Sequence, residues 1–288
     1  MPIPAAAVGC EAGSAIVSAS TRQLMAYAAG IGASHERYFD DLQGIVAHPA
    51  FCVSLEWPVV SGPEYLAAIG RAPSSPRGAI HVLQDSRFHR PIRAGDRLRT
   101  EARIAQVRQT GVGVLVTSCV ETRDADSRAP VTTSWTAAMF LRDTLEGNPP
   151  RGEEPPALRA DAEVVAPCLR RLTIPTEAGL AHRYSECAAI WNPIHTERAA
   201  ARAIGLPGII LHGTCTWALA GQAMIDALAG RDPLKLRRLA GRFRGMVFPG
   251  DTLELDYAPA SAGTWQFAVR TPRGELAITH GVAEFAPR

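Results

Sequence analysis

No two cysteines in this 288-residue chain have CxxC spacing. Cys10, Cys52, Cys119, Cys168, Cys187 and Cys215 are scattered. That argues against a disulfide framework or a zinc site and for reduced thiols in a cytoplasm. Lysine is nearly absent: Lys235 stands alone among 30 Lys and Arg residues. The imbalance reads as a bias towards GC-rich codons and points to no function. Neither sign of charge prevails, with 30 basic against 28 acidic residues, so a basic nucleic-acid module and an acidic tail are both excluded. The longest apolar stretch, Gly208 to Gly230, is interrupted by His212, Gln222 and Asp226. It reads as a buried helix and not as a membrane span. Met1 to Gly9 is apolar but lacks a basic start, so no secretory signal is expected. There is no GxGxxG or P-loop, and the Cys and His residues lack metal-ligand spacing. No cofactor and no metal are therefore expected. What remains is an ordinary globular composition, 47% apolar and 20% charged, long enough for one large domain or two modest ones.

The chain repeats itself. Arg87-Phe88 with Gly95-Asp96-Arg97-Leu98 matches Arg242-Phe243 with Gly250-Asp251-Thr252-Leu253 at an offset of 155. Leu42 to His48 matches Leu206 to His212 at an offset of 164, and Tyr27 matches Tyr184 at 157. Three matches in one order imply two copies of one fold, each of usual domain size. Between them, Glu146 to Pro156 is rich in Pro, Gly and charge, as an exposed linker is. The expected organisation is an N-terminal copy over 1–145, a linker over 146–165 and a C-terminal copy over 166–288.

Each copy has the same coarse order. A first helix is predicted over Thr21 to Ile31 and over Thr176 to Ile190, the latter with Thr176 as N-cap. A longer apolar helix follows, over Gly213 to Leu228 in the second copy. Strands come last: Leu98, Thr100, Ala102 and Ile104 share one face, Leu253, Leu255 and Tyr257 alternate, and so do Trp265, Phe267 and Val269. A helix followed by successive antiparallel strands makes an α+β domain, with a sheet packed on the helix. Asp96 and Asp251, each after Gly, read as turn residues.

The chemistry concentrates in Tyr184-Ser-Glu-Cys-Ala-Ala-Ile-Trp-Asn-Pro-Ile-His195 and in His212-Gly213-Thr214. His195 titrates near neutrality and can act as acid or base. The Gly213 N–H opens a helix, so it lacks an intrahelical acceptor and lies at the positive end of the dipole, where it can hold an oxyanion. Tyr184, Asn192, Pro193, His195, His212 and Gly213, together with Phe248 to Leu253, resemble the MaoC-like, or R-specific enoyl-CoA hydratase, family. That family's pattern is Tyr-x-x-x-Ser-Gly-Asp-x-Asn-Pro-x-His, followed by a His-Gly pair. The resemblance covers nearly the whole chain and implies a double hotdog: two tandem domains, each an antiparallel sheet wrapped on a central helix. It implies a lyase of the hydro-lyase type acting on an acyl-CoA or acyl-carrier-protein thioester. It is compatible with a homodimer.

One departure matters. The family's catalytic Asp falls on Ile190, and its Ser-Gly on Ala188-Ala189. Isoleucine cannot hold or donate a proton. Glu186, four residues earlier, would share a face with Ile190 if the helix persisted, although a solvated helix face is its ordinary reading. Cys187 reads as core. His212 reads as structural, because its match, His48, lies in the copy where Ala33, His35 and Tyr38 replace Ile190, Asn192 and His195. Candidate catalytic groups are therefore His195, Asn192, the Gly213 N–H and Glu186. Candidate substrate contacts are Ile190, Trp191, Thr214, Arg242 and Arg244, the arginines as phosphate partners drawn from the Lys235 to Arg244 run. Three functions follow: a hydratase or dehydratase working without the Asp, a hotdog enzyme of changed reaction (thioesterase, isomerase or cyclase in secondary metabolism), or a non-catalytic acyl-thioester binder.

Overall fold

The computed structural model describes residues 2–72, 79–158, 163–164 and 167–287. In chain order its elements are β1 (Pro2–Pro4), β2 (Glu11–Ser18), α1 (Thr21–Gly30), α2 (Cys52–Val60), α3 (Pro63–Ala68), β3 (Ala79–Phe88), β4 (Arg97–Thr110), β5 (Gly113–Asp124), β6 (Pro130–Leu141), β7 (Thr144–Glu146), β8 (Arg170–Pro175), α4 (Leu180–Ala188), α5 (Arg198–Ala203), α6 (Gly213–Leu228), β9 (Leu236–Phe243), β10 (Thr252–Ser261), β11 (Thr264–Arg270) and β12 (Leu276–Phe285). No helix is long and apolar enough to cross a membrane among the described residues.

Packing divides the chain into two compact units, and neither is continuous in sequence. The first comprises Met1–Ser18, Leu55–Arg90 and Arg97–Ala157; the second comprises Ala19–Ser54, Pro91–Asp96 and Leu158–Arg288. The first helix of copy one thus packs in the second unit, a partition that no local sequence pattern announces. Residues 159–162 and 165 of the expected linker lie outside the described residues.

The first unit holds an antiparallel sheet in the order β2-β4-β5-β6-β3. Leu98, Thr100, Ala102 and Ile104 share its buried face, as their alternation predicts. Its core gathers Ile3, Val59, Tyr65, Ile69, Ile104, Val116 and Phe140. Each such side chain contributes about 1.5–3 kcal/mol by leaving water. The second unit holds an antiparallel sheet in the order β8-β10-β11-β12-β9. Carried through the repeat, β2, β4, β5, β6 and β3 become β8, β10, β11, β12 and β9, so the two strand orders are the same. The turns agree too. The Arg93 N–H donates to Asp96 Oδ2 and the Phe248 N–H to Asp251 Oδ2, each at 2.9 Å. Gly95 and Gly250 hold φ of 92° and 94°, a conformation that favours glycine.

Local chemistry sets the helix ends. Ser20 and Gln23 form a capping box on α1: the Gln23 N–H donates to Ser20 Oγ, and the Ser20 N–H donates to Gln23 Oε1. The second first-helix departs from expectation. It begins at Leu180, not after Thr176, because Thr176 is engaged elsewhere: its N–H and hydroxyl both donate to the Asp251 carbonyl. It ends at Ala188, because Ala189 adopts the left-handed region, at φ 53°. α6 runs over Gly213–Leu228, as read from the sequence, with Thr214 to Gln222 buried. It lies close on β9: a Cβ added at Gly213 would meet the Phe243 ring at 2.7 Å, and one at Gly221 would meet Leu239 at 2.7 Å.

Within the second unit α1 packs on α4, and matching residues of the repeat meet one another. Tyr27 Oη lies 3.4 Å from Tyr184 Oη. A Cβ on Gly30 would approach Cys187 Cβ to 2.6 Å. Both pairs are separated by 157 residues, so these helices meet about a local two-fold axis. Arg183 Nε closes the contact by donating to the Gly30 carbonyl at 3.1 Å. Cys187 is therefore a packing residue at a helix crossing, half-buried and not deep core. Gly30→Ala should overpack this crossing and cost about 1–3 kcal/mol, read as a lower midpoint in thermal melts. Cys187→Gly in the same chain should recover most of the loss.

Candidate active site

The segment after α4 is a tight connection. The Ile190 N–H donates to the Ser185 carbonyl, and Asn192 Oδ1 accepts from the Ile194 N–H, capping the short 3₁₀ turn that carries His195. His35 does the same in copy one, where its Nδ1 accepts from the Arg37 N–H. Asn192 is thus a turn cap that fixes the backbone leading to His195.

His195 is 9% exposed. Its Nδ1 lies 2.8 Å from the Ile210 carbonyl. A carbonyl can only accept, so the proton sits on Nδ1 and Nε2 keeps its lone pair. Burial lowers the His195 pKa to about 4, against the small opposing effect of that hydrogen bond. The imidazole is therefore a neutral base throughout the physiological range. The His212 ring stacks on it, with centroids 3.6 Å apart and planes at 25°. His212 Nε2 donates to the Ile190 carbonyl at 3.2 Å, which fixes the opposite tautomer and leaves Nδ1 buried without a partner. Burial, and then the neighbouring His195, push the His212 pKa well below its ordinary value.

The two His-started helices differ where it counts. In copy one, His48 Nδ1 accepts the Ala50 N–H at 3.1 Å and caps its helix. In copy two, His212 is turned to Ile190 and offers α6 no side-chain cap. Gly213 stands where copy one has Pro49, which has no N–H to offer, and the Gly213 N–H has no acceptor among the described residues. Thr214, next on α6, is buried and accepts from Tyr184 Oη at 3.2 Å. The start of α6 is therefore rigid yet open, and it follows directly on the residue stacked against His195.

The other candidates separate. Ile190 is buried, 4% exposed, and its side chain brings no proton carrier to the site. Trp191 is 49% exposed beside it. Arg242 and Arg244 are exposed and flank Phe243, whose ring touches Gly213. Elsewhere in the basic run, Lys235 Nζ donates to the Ala229 carbonyl, Arg237 is exposed, and Arg238 is buried and paired with Glu284 at 2.9 Å. Glu186 is exposed on α4. The helical relation expected between Glu186 and Ile190 does not form, because the left-handed Ala189 turns the chain between them. Copy one keeps no base at the matching position: Tyr38 donates to Gln222 Oε1 at 3.2 Å, and burial raises its pKa far beyond the ordinary phenol range.

Sequence reading missed the tyrosine contacts and the Phe243 seat under Gly213, which are tertiary. It also missed Glu56, a buried carboxylate of the first unit that accepts from Gln84 Nε2 at 2.9 Å and from Ser134 Oγ. The apolar neighbours of Glu56 on α2 conceal it. No cluster of three or more metal-binding side chains occurs among the described residues.

Three buried histidines and the half-buried His81 should make the fold acid-labile. Burial lowers His48 to about 3, His81 and His195 to about 4, and His212 well below 6.5. Between about pH 6.5 and about pH 4 the unfolded chain protonates these rings while the folded chain does not, so stability falls as pH falls. The slope should reach at most about 5 kcal/mol per pH unit if all four titrate together. Chemical denaturation across that range should show the loss, and His48→Gln should flatten it.

The comparisons agree with this architecture. Residues 161–263 match the MaoC like domain, and residues 6–133 match the FAS1-like dehydratase domain region. Mycobacterium tuberculosis 3-hydroxyacyl-thioester dehydratase Y is 29% identical over 202 residues, which are 68% of this chain and 67% of that protein. A probable enoyl-CoA hydratase 2 of Dictyostelium discoideum is 24% identical over 190 residues, 65% of this chain and 63% of that one. The crystal structure of a MaoC-like dehydratase from Phytophthora capsici superposes with a TM-score of 0.81 at 21% identity, over 97% of both chains. A Mycobacterium tuberculosis protein described as a double hotdog superposes with a TM-score of 0.60 at 14% identity, over 96% of this chain and 95% of that one. At these identities the structural likeness speaks for the fold. With a MaoC like domain over residues 161–263, a FAS1-like dehydratase domain region over residues 6–133 and one strand order in both sheets, the chain is a double hotdog built of two dehydratase-type halves.

Proposed function

We propose that this chain acts on an acyl-CoA or acyl-carrier-protein thioester in a cytoplasm, on a hydro-lyase scaffold whose acid–base pair is reduced to a single group. His195 Nε2 is the base, the Gly213 N–H holds the thioester oxygen, and Asn192 positions the His195 turn. Ile190 and Trp191 would border the acyl group, with Thr214 beside the oxygen. Arg242 and Arg244 would meet phosphate at the entrance. The active copy is 166–288, joined by the linker over 146–165 to a copy over 1–145 that carries no acid–base set.

One observation carries this reading. Where copy one has Pro49, without an N–H, copy two has the open Gly213 N–H at a helix start, directly after the histidine stacked on a base with a bare lone pair. An open N–H at a helix start, beside a base, fits a carbonyl that gains negative charge. Ile190 favours a changed reaction over standard hydration, because removal of a β-hydroxyl needs an acid that neither Ile190 nor the neutral His195 supplies.

Thioester binding is the test. Butanoyl-CoA should bind the full chain saturably, and Arg242→Ala with Arg244→Ala should weaken it about tenfold or more. Butanoyl-N-acetylcysteamine, which lacks the phosphates, should bind both proteins equally. Equal binding of butanoyl-CoA by both would remove the arginines from the reading. No binding of either thioester would refute the reading itself.

A further inference from the structure

The site keeps a base and an open oxyanion donor but has lost the carboxyl group that would work on the β-carbon. Those two parts suffice for one elementary reaction, removal of the proton next to a thioester carbonyl. Resting on the thioester reading above, we infer that this site is an enolisation centre: it exchanges the α-proton of a bound acyl thioester with solvent faster than it adds water to, or removes water from, the β-carbon.

The step balances without a co-reactant. The Nε2 lone pair of His195 takes the α-proton. The electrons of the broken C–H bond form the carbon–carbon double bond of the enolate, and the carbonyl π electrons move to the thioester oxygen, which accepts the Gly213 N–H. The reverse step returns a proton from Nε2 to the α-carbon. Exchange requires that the imidazolium trade its proton with water in between.

Three further observations favour this outcome over hydration. The Nδ1–H bond to Ile210 holds the ring with Nε2 as acceptor, so the resting state is the base. The stacked His212 donates away from the site, to the Ile190 carbonyl, and so brings no proton to the β-carbon. Glu186, the nearest acid in sequence, is exposed on α4 and separated from Ile190 by the left-handed turn at Ala189.

The experiment follows α-deuteration of butanoyl-CoA and butanoyl-N-acetylcysteamine in D2O by mass spectrometry, beside hydration of crotonyl-CoA by the same protein. Exchange should exceed the enzyme-free rate by on the order of 100-fold and should outpace hydration. Folded His195→Gln should lose it, and Glu186→Gln should keep it. If His195→Gln does not fold, the wild-type pH profile decides. A histidine that is already neutral gives a flat rate from about pH 6 to about pH 8, while a rise across that range means a different base, such as a thiol. A thioester that binds without exchanging, hydration that outpaces exchange, or exchange that survives in His195→Gln would overturn the inference and leave the thioester reading standing. No binding of either thioester would overturn both.

Discussion

His195→Ala should lower turnover on the true thioester substrate by on the order of 100-fold or more while leaving the protein folded. The ring is held by one hydrogen bond from Nδ1 and by a stack on His212. Its loss therefore removes a base and a small packing surface, and a modest fall in melting temperature is expected. His195→Gln is the sharper variant, because it keeps much of the volume and removes the titrating nitrogen. Binding of butanoyl-CoA should change little in either, since the contacts proposed for the oxygen, at Gly213, and for the phosphates, at the arginines, do not involve His195. The loss then belongs to turnover and not to affinity. Unchanged turnover in a folded variant would take His195 out of the mechanism.

Ile190→Asp should act in the opposite direction. It places a carboxyl group where the sequence resemblance sets the catalytic Asp, and hydration of crotonyl-CoA should rise by about tenfold or more. The environment sets a cost. Ile190 is buried beside two histidines that burial already holds neutral. An aspartate there will have a raised pKa and will destabilise the fold, so thermal melts must accompany the assay. A raised pKa suits the role, because a neutral carboxylic acid is what the β-hydroxyl needs. A folded Ile190→Asp protein with no gain in hydration would mean that the missing carboxylate is not what limits the reaction.

How much of this was legible in the sequence follows the range of the interactions. The strand faces were legible, because alternation is local and the buried faces of β4 and β10 follow it. The Gly95-Asp96 and Gly250-Asp251 turns were legible because the duplication printed the same turn twice. The start of α6 was legible at Gly213, where the His-Gly pair meets an apolar run. The start of α4 was not. Thr176 looks like an N-cap, but its hydroxyl and N–H are drawn to the Asp251 carbonyl, a residue 75 positions away. The end of α4 was hidden for another reason: the left-handed position is filled by Ala189, and alanine does not advertise a positive φ as glycine would. The repeat revealed that Tyr27 corresponds to Tyr184, and Gly30 to Cys187, but not that each pair meets. The role of His212 turned on its tautomer, which the tertiary contact with the Ile190 carbonyl fixes.

The most direct test of the account is a crystal structure of the protein with butanoyl-CoA bound. The account predicts the thioester oxygen within hydrogen-bonding distance of the Gly213 N–H, the α-carbon facing His195 Nε2, and the β-carbon against Ile190 with no acidic group beside it. A thioester seated away from Gly213, or a carboxylate reaching the β-carbon, would contradict it.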